Sequence, residues 1–376
     1  MKTALILSGG GARAAYQVGV IKAIADILPA ACQNPFPIIC GTSSGAINAA
    51  HLATRANSFH SAVDDLYCLW SGVHSGMIHY VGYSELIKST LRLFRSFLNG
   101  GVAEGRPLSL LDNTPLFHLL NEKVNFQTLD GLIESGHIHA LCITALSYST
   151  GKSINFYQGH PDIELWQRSR RIGFSTRLTL QHLMASAALP ALFPAVRIQQ
   201  EYFGDGALRQ TAPMSAALHL GADKLLMIGV SNNRSSTSLE RCVKSIHSPS
   251  IAQIGGHLLN SAFIDAVEED IETLERFNEL IHKIDGQQTG KLNMRSIDVM
   301  YIKPSVGFDD LAANHIKDLP PSMRTLLKTI GATSSGGGSS MASYILFESN
   351  YCKALMDYGY QDAMKKKDEL QRFFNI

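Results

Sequence analysis

Ser43 stands between two glycines in the run Gly41-Thr42-Ser43-Ser44-Gly45, and Asp205 stands between two more in Gly204-Asp205-Gly206. A hydroxyl and a carboxylate on backbone stripped of neighbouring side chains are the parts of a nucleophile and its base. The run Phe36-Pro37-Ile38-Ile39-Cys40 before the serine reads as a buried strand. The small residues from Ala46 to Ala53 read as a helix packed close on a sheet. A serine at such a strand-to-helix turn presents its Oγ on a sharp, exposed corner. The glycines answer to crowding there and to φ values that a Cβ resists. Ser44 is as nucleophilic in principle, but only Ser43 occupies the middle of the glycine pair.

The loop Gly9-Gly10-Gly11-Ala12-Arg13 lies between the apolar run Ala4–Leu7 and a helical pattern. Consecutive glycines let several N–H groups aim at one point, with the helix dipole behind them. Gly9, Gly11 and Ala14 also fit the G-x-G-x-x-A of a dinucleotide phosphate loop. That reading needs an acidic residue at the end of the second strand. Cys40-Gly41 stands there instead and leads into the serine turn. An oxyanion hole with Gly9, Gly10 and Gly11 as donors accounts for both loops together. Losing one such donor typically slows acyl transfer ~100- to 1000-fold.

Asp205 carries two readings, because Asp-Gly is also a common hairpin turn. A free aspartate, with a pKa of about 3.9, is a weak base. Its pocket must raise that value by desolvation, or hold the serine hydroxyl in a short hydrogen bond. A Ser-Asp-His triad would need a later histidine, and His219, His257 and His315 are available. None of the three is marked by a catalytic loop. The pattern favours a Ser-Asp dyad and leaves a triad open.

Taken in order, the Gly9–Arg13 loop, the Gly41–Gly45 turn and Asp205-Gly206-Ala207 resemble the patatin-like phospholipase family. The run from Ala185 to Pro194 resembles that family's segment before its catalytic aspartate. The resemblance covers residues 1–235. It implies an α/β fold and a dyad acting on lipid acyl esters, without metal or cofactor. It carries Ser43 over as nucleophile, Asp205 as acid/base and Gly9 to Gly11 as oxyanion donors. Ala14 departs from the pattern, since the family's loop usually ends in glycine. The expected function is a serine lipid acyl hydrolase of phospholipase A or lysophospholipase type. A general carboxylesterase or thioesterase, a non-catalytic lipid-binding protein of the same fold, and a dinucleotide-dependent oxidoreductase are the rivals.

The elements that must position these groups follow from periodicity. Strands are expected at Ala4–Leu7, Phe36–Cys40, His139–Leu146, Ala195–Gln199, Leu225–Val230 and Asp298–Ile302. Ala14, Val18, Ile21, Ala25 and Leu28 form a helical stripe that Pro29 ends. Strand, helix, strand and helix in this order make a βαβ unit with a parallel pair. The fold expected is a three-layer α/β sandwich with a mostly parallel sheet, plus a C-terminal helical region. Residues 1–235 would be the catalytic domain, and 236–376 a mostly helical region packed on it. Residues 58–120 read as helical, with Thr114 capping a helix and Pro115 in its first turn. Ser231–Ser238 reads as a loop, Ile251–Ile281 as a long acidic helix, Ala332–Ser340 as a Gly/Ser-rich link and Met341–Ile376 as helical.

With 376 residues, 45% of them hydrophobic, the chain has ample core. A net charge of +1 gives no global pull toward nucleic acid, so any lipid affinity must be local. Leu86, Thr90, Leu93, Phe94 and Phe97, with Lys88, Arg92 and Arg95 around them, predict either a helix at a membrane interface or a cap packed on the core. Phe94 and Phe193 are the candidate substrate contacts. Arg13 is expected to pair with a carboxylate or carbonyl. The six scattered cysteines read as free thiols. No stretch reads as a signal-peptide core or a membrane span. The expected location is cytoplasmic or peripheral at a membrane, with export lacking a cleavable signal left open.

Overall fold

The computed structural model describes residues 1–98, 107–231, 248, 250–261, 266–283, 295–332 and 338–376. Its sheet runs β1 (Thr3–Leu7), β2 (Ile38–Thr42), β3 (Ala140–Ser147), β4 (Ser153–Gly159), β5 (Arg171–Ser175), β6 (Val196–Ile198), β7 (Glu201–Asp205), β8 (Lys224–Ile228) and β9 (Asp298–Ile302) in chain order. In space the main path is β5-β4-β3-β2-β1-β8-β9, with the β6–β7 hairpin set against β3. Neighbours from β3 through β2, β1 and β8 to β9 pair parallel, as do β4 and β5. The β3–β4, β3–β7 and β6–β7 pairs are antiparallel. The sheet is mostly parallel, as the sequence predicts.

Both faces are covered, which is what near-continuous apolar strands require. Leu5 and Leu7 of β1 join the larger core, while Ala4 and Ile6 join the smaller one on the opposite face. The helices that bear on the site are α1 (Ala15–Ile27), α2 (Ser44–Ala53), α3 (Tyr83–Leu98), α4 (Thr114–Lys123), α5 (Leu180–Ser186), α6 (Ile251–Asn260), α7 (Ala266–Lys283), α8 (Ser339–Ile345), α9 (Ser349–Lys365) and α10 (Lys367–Phe374).

The apolar stripe on α1 widens into burial on nearly every side, because α9 lies over it. The two helices meet backbone to backbone. A Cβ on Gly19 would sit 1.9 Å from the Met356 carbonyl oxygen, and one on Gly359 2.1 Å from that of Tyr16. The region after residue 235 also supplies the edge strand β9.

Three expectations change. Thr114 is the first residue of α4 rather than its cap, and Asn113 holds the cap position. The acidic pattern over Ile251–Ile281 is two helices, α6 and α7, with residues 262–265 outside the described residues. The polar runs β4 and β5 escape the sequence reading because they lie toward the sheet's edge, where alternation is broken by Asn155, Gln158 and Arg171. Most of the 231–238 loop, part of the 332–340 link, and Cys242 lie outside the described residues. The described cysteines are free.

Candidate active site

Parallel pairing brings the two glycine loops to one edge of the sheet. Leu7 lies opposite Gly41 in the β1–β2 register, so the loops after β1 and β2 leave side by side at the strands' carboxyl ends. That edge is where open α/β sheets hold ligands. Asp205, the last residue of β7, faces Ala145 of β3, the strand beside β2. Three segments distant in sequence therefore converge.

Ser43 carries the strain of the turn. Its φ of 55° and ψ of −128° belong to the sparsely populated region that a side chain resists, a distortion worth about 1–3 kcal/mol. The turn is held by the Ser43 N–H, which donates to Ser186 Oγ at 2.8 Å. Ser186 Oγ in turn donates to the Thr144 carbonyl at 2.6 Å. The flanking glycines are required by contact rather than by φ. A Cβ on Gly45 would meet the Leu7 carbonyl oxygen at 2.3 Å, and one on Gly41 the Ala46 Cα at 2.5 Å.

The Ser43 hydroxyl donates to Asp205 Oδ2 at 2.6 Å with no residue between them. Asp205 Oδ1 accepts the Ala207 N–H at 2.9 Å. The turn after Asp205 is a short 3-10 segment that its own carboxylate caps; the hairpin bend of this ribbon lies earlier, between β6 and β7. Asp205 is only 1% exposed. Burial pushes its carboxyl up from 3.8 to about 7, against the opposing pull of the Ser43 and Ala207 hydrogen bonds. A carboxylate at that value can take a proton from a hydroxyl near neutral pH and return it.

Ser43 and Asp205 open onto a cavity of about 790 Å³, partly open to solvent. Its wall is apolar, with Ile47, Trp70, Leu116, Phe193, Ile345 and Phe347 among its residues. Gly11 and Ser44 also line it, whereas Gly9 and Gly10 do not. The Gly10 N–H is turned to Ser44 Oγ at 3.2 Å. Ser44 is thus a fixed acceptor rather than an idle neighbour. The N-terminus of α2 begins at Ser43 and points its positive end at the same spot.

Phe193 belongs to this wall, but Phe94 does not: it is 63% exposed on α3. The exposed apolar face of α3 is Tyr83, Ile87, Leu91 and Phe94, while Leu86 is turned into the core. The side chains of Leu93 and Phe97 lie outside the described residues. His219 stacks on Trp166 and bonds the Ser215 carbonyl, His315 bonds Asp318, and neither they nor His257 line the cavity.

Two groups have no signal in the sequence. Ser186 lies in the Ala185–Pro194 run, yet nothing there marks it as the acceptor for Ser43. Arg13 is buried, and its partners come from far along the chain. It donates to Ser343 Oγ at 2.8 Å, Tyr344 OH at 3.1 Å, Asn260 Oδ1 at 3.3 Å and Asp309 Oδ1 at 2.7 Å. Its guanidinium also lies 3.9 Å from the centre of the Tyr344 ring. Gly11, at φ +55°, leaves so little room that a Cβ would sit 2.1 Å from the Tyr344 carbonyl oxygen. Residues of α8 thus back the glycine loop.

A family model described as patatin-like phospholipase matches residues 5–218. The cGAMP-activated phospholipase of Pseudomonas aeruginosa (strain BWHPSA011 / Pa011) is 27% identical over 216 residues, or 57% of this chain and 55% of that protein. The chain thus spans about half the length of the curated relative it matches. VipD from Legionella pneumophila is 13% identical, with a TM-score of 0.34 over 98% of this chain and 67% of that one. Human GIVD cytosolic phospholipase A2 is 9% identical, with a TM-score of 0.41 over 100% of this chain and 63% of that one. Structural likenesses this weak decide nothing about activity.

Proposed function

Because the chain belongs to the patatin-like phospholipase family, we propose that it is a serine hydrolase of lipid acyl esters, of phospholipase A or lysophospholipase type, working through a Ser43–Asp205 dyad. The single observation that carries this reading is the 2.6 Å hydrogen bond from a strained serine to a buried carboxylate inside an apolar cavity. Ser43 Oγ attacks the ester carbonyl while Asp205 takes its proton. Gly11, the Gly10 segment and the start of α2 face the oxygen on which charge develops. Asp205 returns the proton to the leaving alcohol, and water activated by the same carboxylate releases the fatty acid. The apolar wall, Phe193 included, holds the acyl chain.

The first 235 residues carry the dyad and the glycine loop, and the remainder completes the cavity through Tyr344, Ile345 and Phe347. Peripheral contact with a bilayer is part of the same proposal. Ile87 and Leu91, 58% and 57% exposed, stand beside Phe94 on α3, and no helix among the described residues is long and apolar enough to cross a membrane.

A fluorophosphonate probe tests the assignment. Wild type and Ser44→Ala are expected to be labelled and Ser43→Ala is not; labelling of Ser43→Ala but not of Ser44→Ala reverses the choice. Running the assay with and without cyclic GMP-AMP, the activator named for the Pseudomonas relative, shows whether this chain works unaided. The pH profile tests the base. Since Asp205 must be ionised to accept the proton, kcat/KM on a water-soluble ester is expected to climb tenfold per pH unit below about 7 and level off above it. A midpoint near 4 removes Asp205 from the role.

A further inference from the structure

A second cavity, of about 1020 Å³, adjoins the first. The two share a wall built from three segments: Ile78, Leu116 and Phe193 face the apolar cavity, while Tyr80, Thr114 and Pro194 face the other. Glu85, Lys88, Ser89 and Arg92, one side of α3, close the second cavity. That side is next to the exposed face bearing Ile87 and Leu91.

The charges in this cavity are unevenly satisfied. Glu85 is engaged by Ser84 and, at 3.6 Å, by Lys88. Asp112 Oδ1 accepts the Thr114 N–H and hydroxyl at 2.9 and 2.6 Å, closing the end of α4. Arg92 has no carboxylate partner among the described residues. Asn113 also lines the cavity, is 4% exposed, and its Nδ2 finds no acceptor in the protein. A buried amide donor without a partner is costly and points to a group absent from the protein itself.

We infer that this polar cavity receives the phosphate of a phospholipid headgroup, at Arg92 and Asn113, while the acyl chain enters the apolar cavity alongside. The inference rests on the hydrolase reading and names its substrate class. Glu85 and Asp112 on the same wall repel a second negative charge, so a zwitterionic headgroup is preferred to an anionic one. The phosphate sits where a charge-assisted hydrogen bond is strongest, between a guanidinium and a sheltered amide.

The test uses short-chain lipids below their micelle concentration, so that surface binding plays no part. Wild type is expected to favour dihexanoyl-phosphatidylcholine over dihexanoylglycerol by about tenfold in kcat/KM, and over dihexanoyl-phosphatidylglycerol by a smaller factor. Arg92→Gln is expected to erase the first preference, chiefly through KM, and Arg92→Lys to restore part of it. Phosphocholine titrated calorimetrically is expected to bind wild type at least about tenfold more tightly than Arg92→Gln. Equal ratios in wild type and Arg92→Gln, or a flat phosphocholine titration, overturn the headgroup site while the hydrolase reading stands. Inorganic phosphate binding as tightly as phosphocholine reassigns the cavity to a soluble anion. If wild type hydrolyses none of the esters, the hydrolase reading fails, and the phosphocholine titration still decides the cavity.

Discussion

Asp205→Asn is expected to lower acyl hydrolysis by about 1000-fold or more and, at the same time, to make the protein more stable at pH 8. Both effects come from one buried carboxylate. The amide can still accept from the Ala207 N–H and can donate to Ser43 Oγ, so the geometry survives while the base is lost. The folded protein holds the Asp205 proton more tightly than the unfolded chain does, because its value rises from 3.8 to about 7. Stability from this group is therefore highest below pH 4, falls as pH rises toward 7, and stays lower above it. A displacement of that size corresponds to roughly 4 kcal/mol at most. Even half of it would raise the melting temperature of Asp205→Asn at pH 8 by about 2 °C or more over wild type. The difference should vanish at pH 4. A thermal melt series from pH 4 to 8 reads this directly, and a variant no more stable than wild type at pH 8 contradicts the burial argument.

Arg13→Ala is expected to destabilise the protein by about 3–5 kcal/mol, the range for breaking a buried ionic network on one side. Its guanidinium is enclosed by Ser343, Tyr344, Asn260 and Asp309, which come from three separate stretches of the C-terminal half. Removing it leaves these groups facing a void and unlocks α8 from the glycine loop. Activity should fall with stability, by about tenfold at temperatures where the variant stays folded, because Gly11 loses its backing and an oxyanion donor drifts. Arg13→Lys should rescue little, since one ammonium cannot reach donors and ring together as a planar fork does. Urea denaturation with kcat measured in parallel separates the outcomes. A loss under 1 kcal/mol would show that the network is not what holds the two halves.

Much of the fold was legible because buried parallel strands leave apolar runs. β1, β2, β3, β8 and β9 lie within two residues of where those runs place them, and β6 within one. β4 and β5 were missed because their burial depends on β3 and on Trp166, which no local pattern announces. At the site, backbone did most of the signalling. Glycines that a Cβ would drive into Leu7, Thr144 or Tyr344 mark the places where the chain must come close to itself. Side chains that act through distant partners gave no such mark. Ser186 looks like any small residue in an alanine-rich run, and Arg13 like a loop cation. Phe94 illustrates the opposite error: its spacing suggested a substrate contact, yet the α3 backbone turns it to solvent.

The contact of Gly11 with Tyr344, and of Gly19 with Met356, has a consequence for biosynthesis. A nascent chain on the ribosome has made Ser43 and Asp205 long before residue 344 leaves the exit tunnel. Until then the loop meant to steady the reacting oxygen has nothing behind it, and α1 lacks the helix that covers it. The enzyme is therefore born silent. Its power to damage lipids switches on only when translation is nearly over.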